Sequence, residues 1–207
     1  MRYRVSMVES FRQWEVDPDG DTDRLIAGIC GMGEETPAMR AGTALHKALE
    51  LAQPGEVERL SVPGYVFTFP KDFTLGVTPI RELRASKTYL VDDRPITISG
   101  QVDAIDGLRI EDHKSTSRFD PDRYLTGYQW RLYLSIFAAW QFRWNVFEIG
   151  EVESAQPSEG FEPPPAEYEV LALHTLSQFR YPSLEADCLA LVTRFARFVR
   201  DRIEVTA

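Results

Sequence analysis

"GQVDAIDGLRIEDHKST", residues 100–116, holds two runs of alternating residues on either side of Asp106-Gly107. Asp-Gly flanked by alternating apolar positions is a strong β-hairpin signal. A two-residue loop at Asp106-Gly107 pairs Ile105 with Leu108, sets Asp103 opposite Ile110, and sets Gln101 opposite Asp112. Side chains alternate faces along a strand, so Gln101, Asp103, Asp112 and Lys114 are expected to share one face with Ile110. Glu111 then turns to the other face beside Val102. In that register Asp103 and Asp112 are diagonal cross-strand neighbours with Cα atoms about 7–8 Å apart. One divalent cation between them would satisfy both carboxylates, whereas without it two like charges repel and one tends to protonate. Lys114, two residues beyond Asp112, stands where it can approach a reacting phosphate. A one-residue change in loop length would select Glu111 instead. The competing reading of the same residues is a solvated hairpin face carrying ordinary charges.

The chain of 207 residues is long enough for one domain with a sizeable core, and residues 1–207 are read as a single domain. Its hydrophobic content of 43% and charged content of 27% are those of a globular protein. It has no apolar run of roughly 18 residues, so no membrane span is expected. The opening MRYRVSMVESFRQWEVD acquires charge too early for a signal peptide, which makes the cytoplasm the default location. The net charge of −9 argues against indiscriminate coating of nucleic acid. It leaves room for an enzyme that meets phosphates locally through metal ions. Cys30 and Cys188 are too few for a disulfide framework or a four-thiolate cluster, and each is read as a small buried residue.

Two acidic, turn-rich stretches, 15–23 and 150–168, read as surface loops, the second because its prolines forbid a helix or central strand. Thr36-Pro37 reads as a cap and first helical position for a helix to about Gln53. Segments 58–69 and 80–91 read as strands, and Asp120-Pro121 opens an aromatic-rich helix to about Phe142. Residues 144–149 and 168–176 read as two more strands, and 183–203 as an amphipathic helix with its arginines toward the C-terminal end, where they suit the macrodipole. The order helix, β-meander, helix, two strands, helix defines an α/β domain with a mixed central sheet flanked by helices.

The hairpin resembles motifs II and III of the PD-(D/E)xK nuclease superfamily, with its restriction-endonuclease-like core, in which an acid on one strand is followed by acid-x-Lys on the next. "GTALHKALE" (42–50) resembles the upstream histidine motif of the RecB-type branch, and "YQWRLYLSIF" (128–137) its Q-x-x-x-Y motif; the start is faintly like its opening helix. The motifs stand in family order and cover about residues 1 to 145. The resemblance implies a Mg2+- or Mn2+-dependent DNA nuclease, an exonuclease in DNA repair, recombination or phage DNA processing, working alone or beside a recombination or helicase protein. It departs from the RecB-type exonucleases and CRISPR-adaptation nucleases that hold an iron–sulfur cluster, since two cysteines cannot bind one.

Carried over residue by residue, the resemblance makes His46, Asp103 and Asp112 metal ligands, with the backbone carbonyl of His113 completing the set. Imidazole tilts the preference toward Mn2+. Lys114 would orient or deprotonate the attacking water, or stabilise charge in the transition state. Gln129 and Tyr133, at i and i+4, lie on one helix face and would contact DNA or the lysine; otherwise they are core residues. Glu82 either binds a second ion or is an ordinary strand acid. Arg40, Lys47, Arg118, Arg123 and Arg131 form a candidate basic rim, and Trp130, Trp140 and Trp144 read as core. The rival functions are a catalytically silent nucleic-acid-binding or assembly subunit on the same fold, and a metalloenzyme for small phosphorylated substrates.

Overall fold

The structure, a computed structural model, describes residues 1–76, 80–152 and 165–204. Most of the 150–168 stretch read as a loop therefore lies outside the described residues. The chain opens with β1 (Arg2–Arg4), α1 (Val5–Val16) and α2 (Thr22–Ile29). Next come α3 (Pro37–Leu51), β2 (Gly55–Glu56), β3 (Arg59–Val62), β4 (Tyr65–Thr68) and β5 (Thr74–Leu75). Three long elements follow, β6 (Ile80–Val91), β7 (Arg94–Asp106) and β8 (Arg109–Thr116). The chain then runs through α4 (Pro121–Leu125), α5 (Gln129–Ile136), β9 (Gln141–Val152), β10 (Ala166–Phe179) and α6 (Leu184–Val199).

Local chemistry accounts for most of these boundaries. Thr36 Oγ1 accepts from the Met39 N–H at 3.2 Å, and Pro37 supplies the first turn of α3 without an orphaned donor. The stretch 15–23, expected as a loop, instead contains the start of α2, because the Asp21 carboxylate caps the Arg24 N–H at 3.0 Å. The single strand expected over 58–69 is a hairpin, β3 and β4, which turns at Gly64 with φ +80°. The helix expected from Asp120 to Phe142 is broken in two. α4 closes on Thr126, α5 stops at Ile136, and Ala138 with φ +52° turns the chain into β9.

The strands form an eight-stranded mixed sheet in the order β1-β7-β8-β9-β10-β4-β3, with β6 also paired to β7. One face packs against α1, α5 and α6 around Val8, Ile98, Ile110, Phe142, Leu191 and Phe195. The other packs against α3 around Leu45, Phe67, Phe147 and Val170. This is the mixed sheet flanked by helices that the sequence led us to expect. Cys188 is buried in the first core as anticipated, but Cys30 is exposed at the end of α2. Trp130 and Trp144 are core residues, whereas Trp140 is exposed.

β7 creates the irregularity on which the site depends. Along one edge it pairs with β1 only at Thr97–Ser99 and with β8 only at Ala104–Asp106. Gly100 to Asp103 therefore face a gap in the sheet. On the opposite edge β7 pairs with β6 nearly throughout, but Glu82 there takes φ +55° and interrupts the regular ladder beside Asp103.

Candidate active site

The β7–β8 hairpin forms where expected, but its loop is Gly107-Leu108 rather than Asp106-Gly107. Asp106 pairs with Arg109, and their side chains meet at 2.8 Å across the turn. Gly107 takes φ +60° as the first loop residue, the position at which a type II′ turn wants glycine. The register is thereby shifted two residues from the expected one: Ile105 pairs with Ile110 and Ala104 with Glu111. Continued one step, it sets Asp103 level with Asp112 instead of diagonal to it.

The even shift keeps Asp112 and Lys114 on the Ile110 face, toward α5. Asp103 and Gln101 depart from the expected face. Beyond Ala104 the ladder opens, and the Asp103 carboxylate takes the place of a backbone partner: Oδ2 accepts from the His113 N–H at 2.5 Å. Its Oδ1 lies 3.5 Å from His46 Nδ1 on the α3 side. Gln101 stands level with Arg84 of β6 and bonds to the Arg84 and Glu82 side chains.

The site thus straddles the sheet. From the α3 side, His46, Asp103, His113, Glu82 and Glu111 line a cavity of about 190 Å3. From the α5 side, Lys114, Gln129, Tyr124 and Trp144 line a smaller one of about 110 Å3. Asp112 stands between them, 3% exposed. Lys114 Nζ lies 2.5 Å from Asp112 Oδ2, yet that buried oxygen has no hydrogen bond of good geometry. Gln129 Nε2 reaches Asp112 Oδ1 at 3.4 Å, so it meets the acid rather than the lysine. The Tyr133 hydroxyl donates to the Gln101 carbonyl at 2.9 Å, filling the backbone vacancy left by the gap. Gly100 makes this possible, since a Cβ there would collide with the Tyr133 ring.

The carboxylates sit in opposite electrostatic environments. Burial pushes the Asp112 carboxyl up to about 6, and the nearby Asp103 charge adds to this while Lys114 opposes it. Asp103 is also desolvated, but the hydrogen bond and charge of His46 outweigh that and hold it down at about 2. Burial alone would lower His46 and Lys114; their acidic neighbours raise both instead. His113 is lowered by burial, and Glu82 is raised by it.

Among the described residues, no three His, Cys, Asp or Glu side chains gather at metal-ligand geometry. The donor chemistry nevertheless suits a hard cation: an orphaned buried carboxylate oxygen on Asp112, a second carboxylate on Asp103, and an imidazole beside it. The Lys114 ammonium provides the positive charge next to Asp112 in this structure.

Of the expected basic rim, Arg123 lines the cavity of Lys114 and Gln129, and the other four residues are dispersed. Lys47 pairs with Glu50 at 2.8 Å, and Arg40 bonds to the Glu35 carbonyl. Arg131 stacks on Tyr128 and Trp130 and bonds to Tyr181. Arg118 and Arg123 are exposed. A positioning residue escaped the sequence reading altogether. Glu9 on α1 is 7% exposed, and its Oε2 accepts from the Tyr128 N–H at 2.7 Å, anchoring the start of the helix that carries Gln129. The signal was available: Glu9 is four residues after Val5, on the buried stripe of α1.

No family model and no curated protein matches the chain. Among solved structures it is similar to SSO0001, with a TM-score of 0.55 and 13% identity over 95% of this chain and 76% of that one. It also overlays LHK-Exo in complex with dAMP, with a TM-score of 0.46 and 12% identity over 99% and 90% of the two chains. The first likeness is one of fold: a large mixed sheet flanked by helices. No helix among the described residues is long and apolar enough to cross a membrane.

Proposed function

We propose that residues 1–207 form a single RecB-like PD-(D/E)xK nuclease domain that hydrolyses phosphodiester bonds in DNA with Mg2+ or Mn2+, as an exonuclease in the cytoplasm. The observation that carries the reading is the meeting of Asp103, Asp112 and Lys114 at the opening of the β7–β8 ladder, with His46 and Gln129 reaching in from opposite sides. Asp112, Asp103, His46 and the His113 carbonyl would hold the cation. When bound, it supplies a water of lowered pKa and neutralises charge on the phosphate oxygens.

The chain's own residues prepare the rest. His46 and the His113 N–H fix the Asp103 carboxylate in its ionised form. Asp112 and Asp103 hold the proton on Lys114, so its ammonium serves to bind a phosphate oxygen and stabilise developing negative charge. Gln129 limits the rotation of Asp112, and Tyr133 fixes the β7 backbone at the gap.

Incubation of the protein with linear and circular DNA, in Mn2+ and in EDTA, tests the proposal. Mn2+-dependent release of nucleotides from linear DNA alone is expected, and Asp112→Ala or Lys114→Ala should abolish it. Full activity in either variant, free of contaminating nuclease, removes the assignment. DNA binding without cleavage would point to a silent subunit, and hydrolysis confined to small phosphate esters to a different metalloenzyme.

A further inference from the structure

The face of the sheet that carries Asp103 is covered by α3 over its β8–β9–β10–β4–β3 part, and the end of α3 reaches β6 at Arg81. Around β1, β6 and the first half of β7 it is open and polar. The pairing puts Arg2 level with Thr97, Arg4 level with Ser99, and Arg84 level with Gln101, and directly paired residues share a face. Arg2, Arg4 and Arg84 are all exposed, and they line a cavity of about 530 Å3 with Ser99, Gln101 and Tyr133. Among the described residues no acidic one lines it. In a chain of net charge −9 this is a local reversal of sign. Neither Arg2 nor Arg4 makes an ion pair or side-chain hydrogen bond among the described residues, and Arg84 bonds only to Gln101. Unpaired arginines on a hydroxyl-bearing surface offer forked donors to phosphate oxygens.

We propose that this groove binds the phosphodiester backbone of the single nucleic-acid strand that leads into the Asp103 site. The groove adjoins that site: Gln101, which Arg84 holds on one side, is held on the other by Glu82, a residue of the Asp103 cavity. From Ser99 or Gln101 to Asp103 the strand rises roughly 7–13 Å. The contacts are with phosphate alone, so the groove positions the strand and does not read its sequence. This inference rests on the nuclease reading for what lies at the end of the groove, but its test does not.

Binding of a short single-stranded oligonucleotide is measured in EDTA, where metal-dependent cleavage plays no part, across a range of salt concentrations. The wild type is expected to bind the phosphodiester and not its uncharged methylphosphonate counterpart. The triple variant Arg2→Ala/Arg4→Ala/Arg84→Ala should bind every sequence more weakly, with its log–log salt slope reduced by roughly 2, about 0.7 for each lost phosphate contact. The corresponding triple lysine variant should keep most of the slope, which separates charge from packing. A triple alanine variant with wild-type affinity and slope overturns the groove, as does a wild type that binds no oligonucleotide. A chain that binds through these arginines but never cuts would sink the nuclease reading and leave the groove standing.

Discussion

Asp103 and Asp112 are the same residue type, level with each other across one hairpin, and the fold treats them oppositely. Asp103 is partly exposed, receives a backbone N–H and an imidazole, and is held down at about 2. Asp112 is 3% exposed, keeps one oxygen without a well-made hydrogen bond, and is pushed up to about 6. Partners decide the first case and desolvation the second. The difference teaches that a shared hairpin does not make two acids equivalent; what packs over each end does. One carboxylate is ionised at all working pH values, and burial holds the other toward its protonated form.

The largest expected effect comes from removing the positive charge beside Asp112. Lys114→Ala should lower DNA cleavage by about 10^2–10^4-fold while circular dichroism keeps the wild-type spectrum. Retention of cleavage would deny the lysine any part in the chemistry.

Next is stability against pH in the metal-free chain. The Asp112 pKa is raised on folding, so its contribution is fully present below about 3.8 and lost as pH rises toward about 6, amounting to at most about 3 kcal/mol. The Asp103 pKa is lowered, so its contribution is present above 3.8 and lost as pH falls toward about 2. Urea unfolding in EDTA should therefore show Asp112→Asn flattening the upper window and Asp103→Asn the lower. Identical pH profiles for the two variants would erase the distinction between the acids.

A smaller change follows from taking the imidazole off Asp103. His46→Ala should weaken Mn2+ binding by about 10–100-fold, read from the metal concentration that gives half-maximal thermal protection, and Asp103 should titrate closer to an ordinary aspartate. The smallest effect belongs to Tyr133→Phe, which leaves the Gln101 carbonyl without its donor and should cost about 1 kcal/mol in denaturant unfolding, with cleavage reduced only a few-fold.

How far the fold could be read from residues alone depended on how local the controlling interactions were. α3, β6 and the hairpin follow from alternation, helical periodicity and the Thr36-Pro37 cap, all within a few residues, whereas α1 was indicated only by the resemblance. α2 was hidden because Asp21 belongs to a run that also spells turns, and only its carboxylate geometry shows which acid caps. The break between α4 and α5 escaped because Glu9, more than a hundred residues earlier, takes the Tyr128 N–H. Of the site, Asp112 and Lys114 come together as their spacing implied, whereas Gln129, carried over from the resemblance, meets Asp112 rather than the lysine. Arg2 and Arg84 gave no sign of belonging together, since β1 and β6 meet only through β7.

Sequence determined the hairpin, the parity that keeps Asp112 and Lys114 on the Ile110 face, and the residue types able to hold a cation or a phosphate. The turn's own chemistry, Gly107 and the Asp106–Arg109 pair, set the register within that parity. Only the tertiary structure turned Asp103 toward His46. Its direction depends on β7 having neither β1 nor β8 along one edge between Ser99 and Ala104, and on α3 bringing an imidazole to the gap from the far side of the sheet. Strand alternation is a property of one chain segment, whereas an opened ladder is a property of its neighbours.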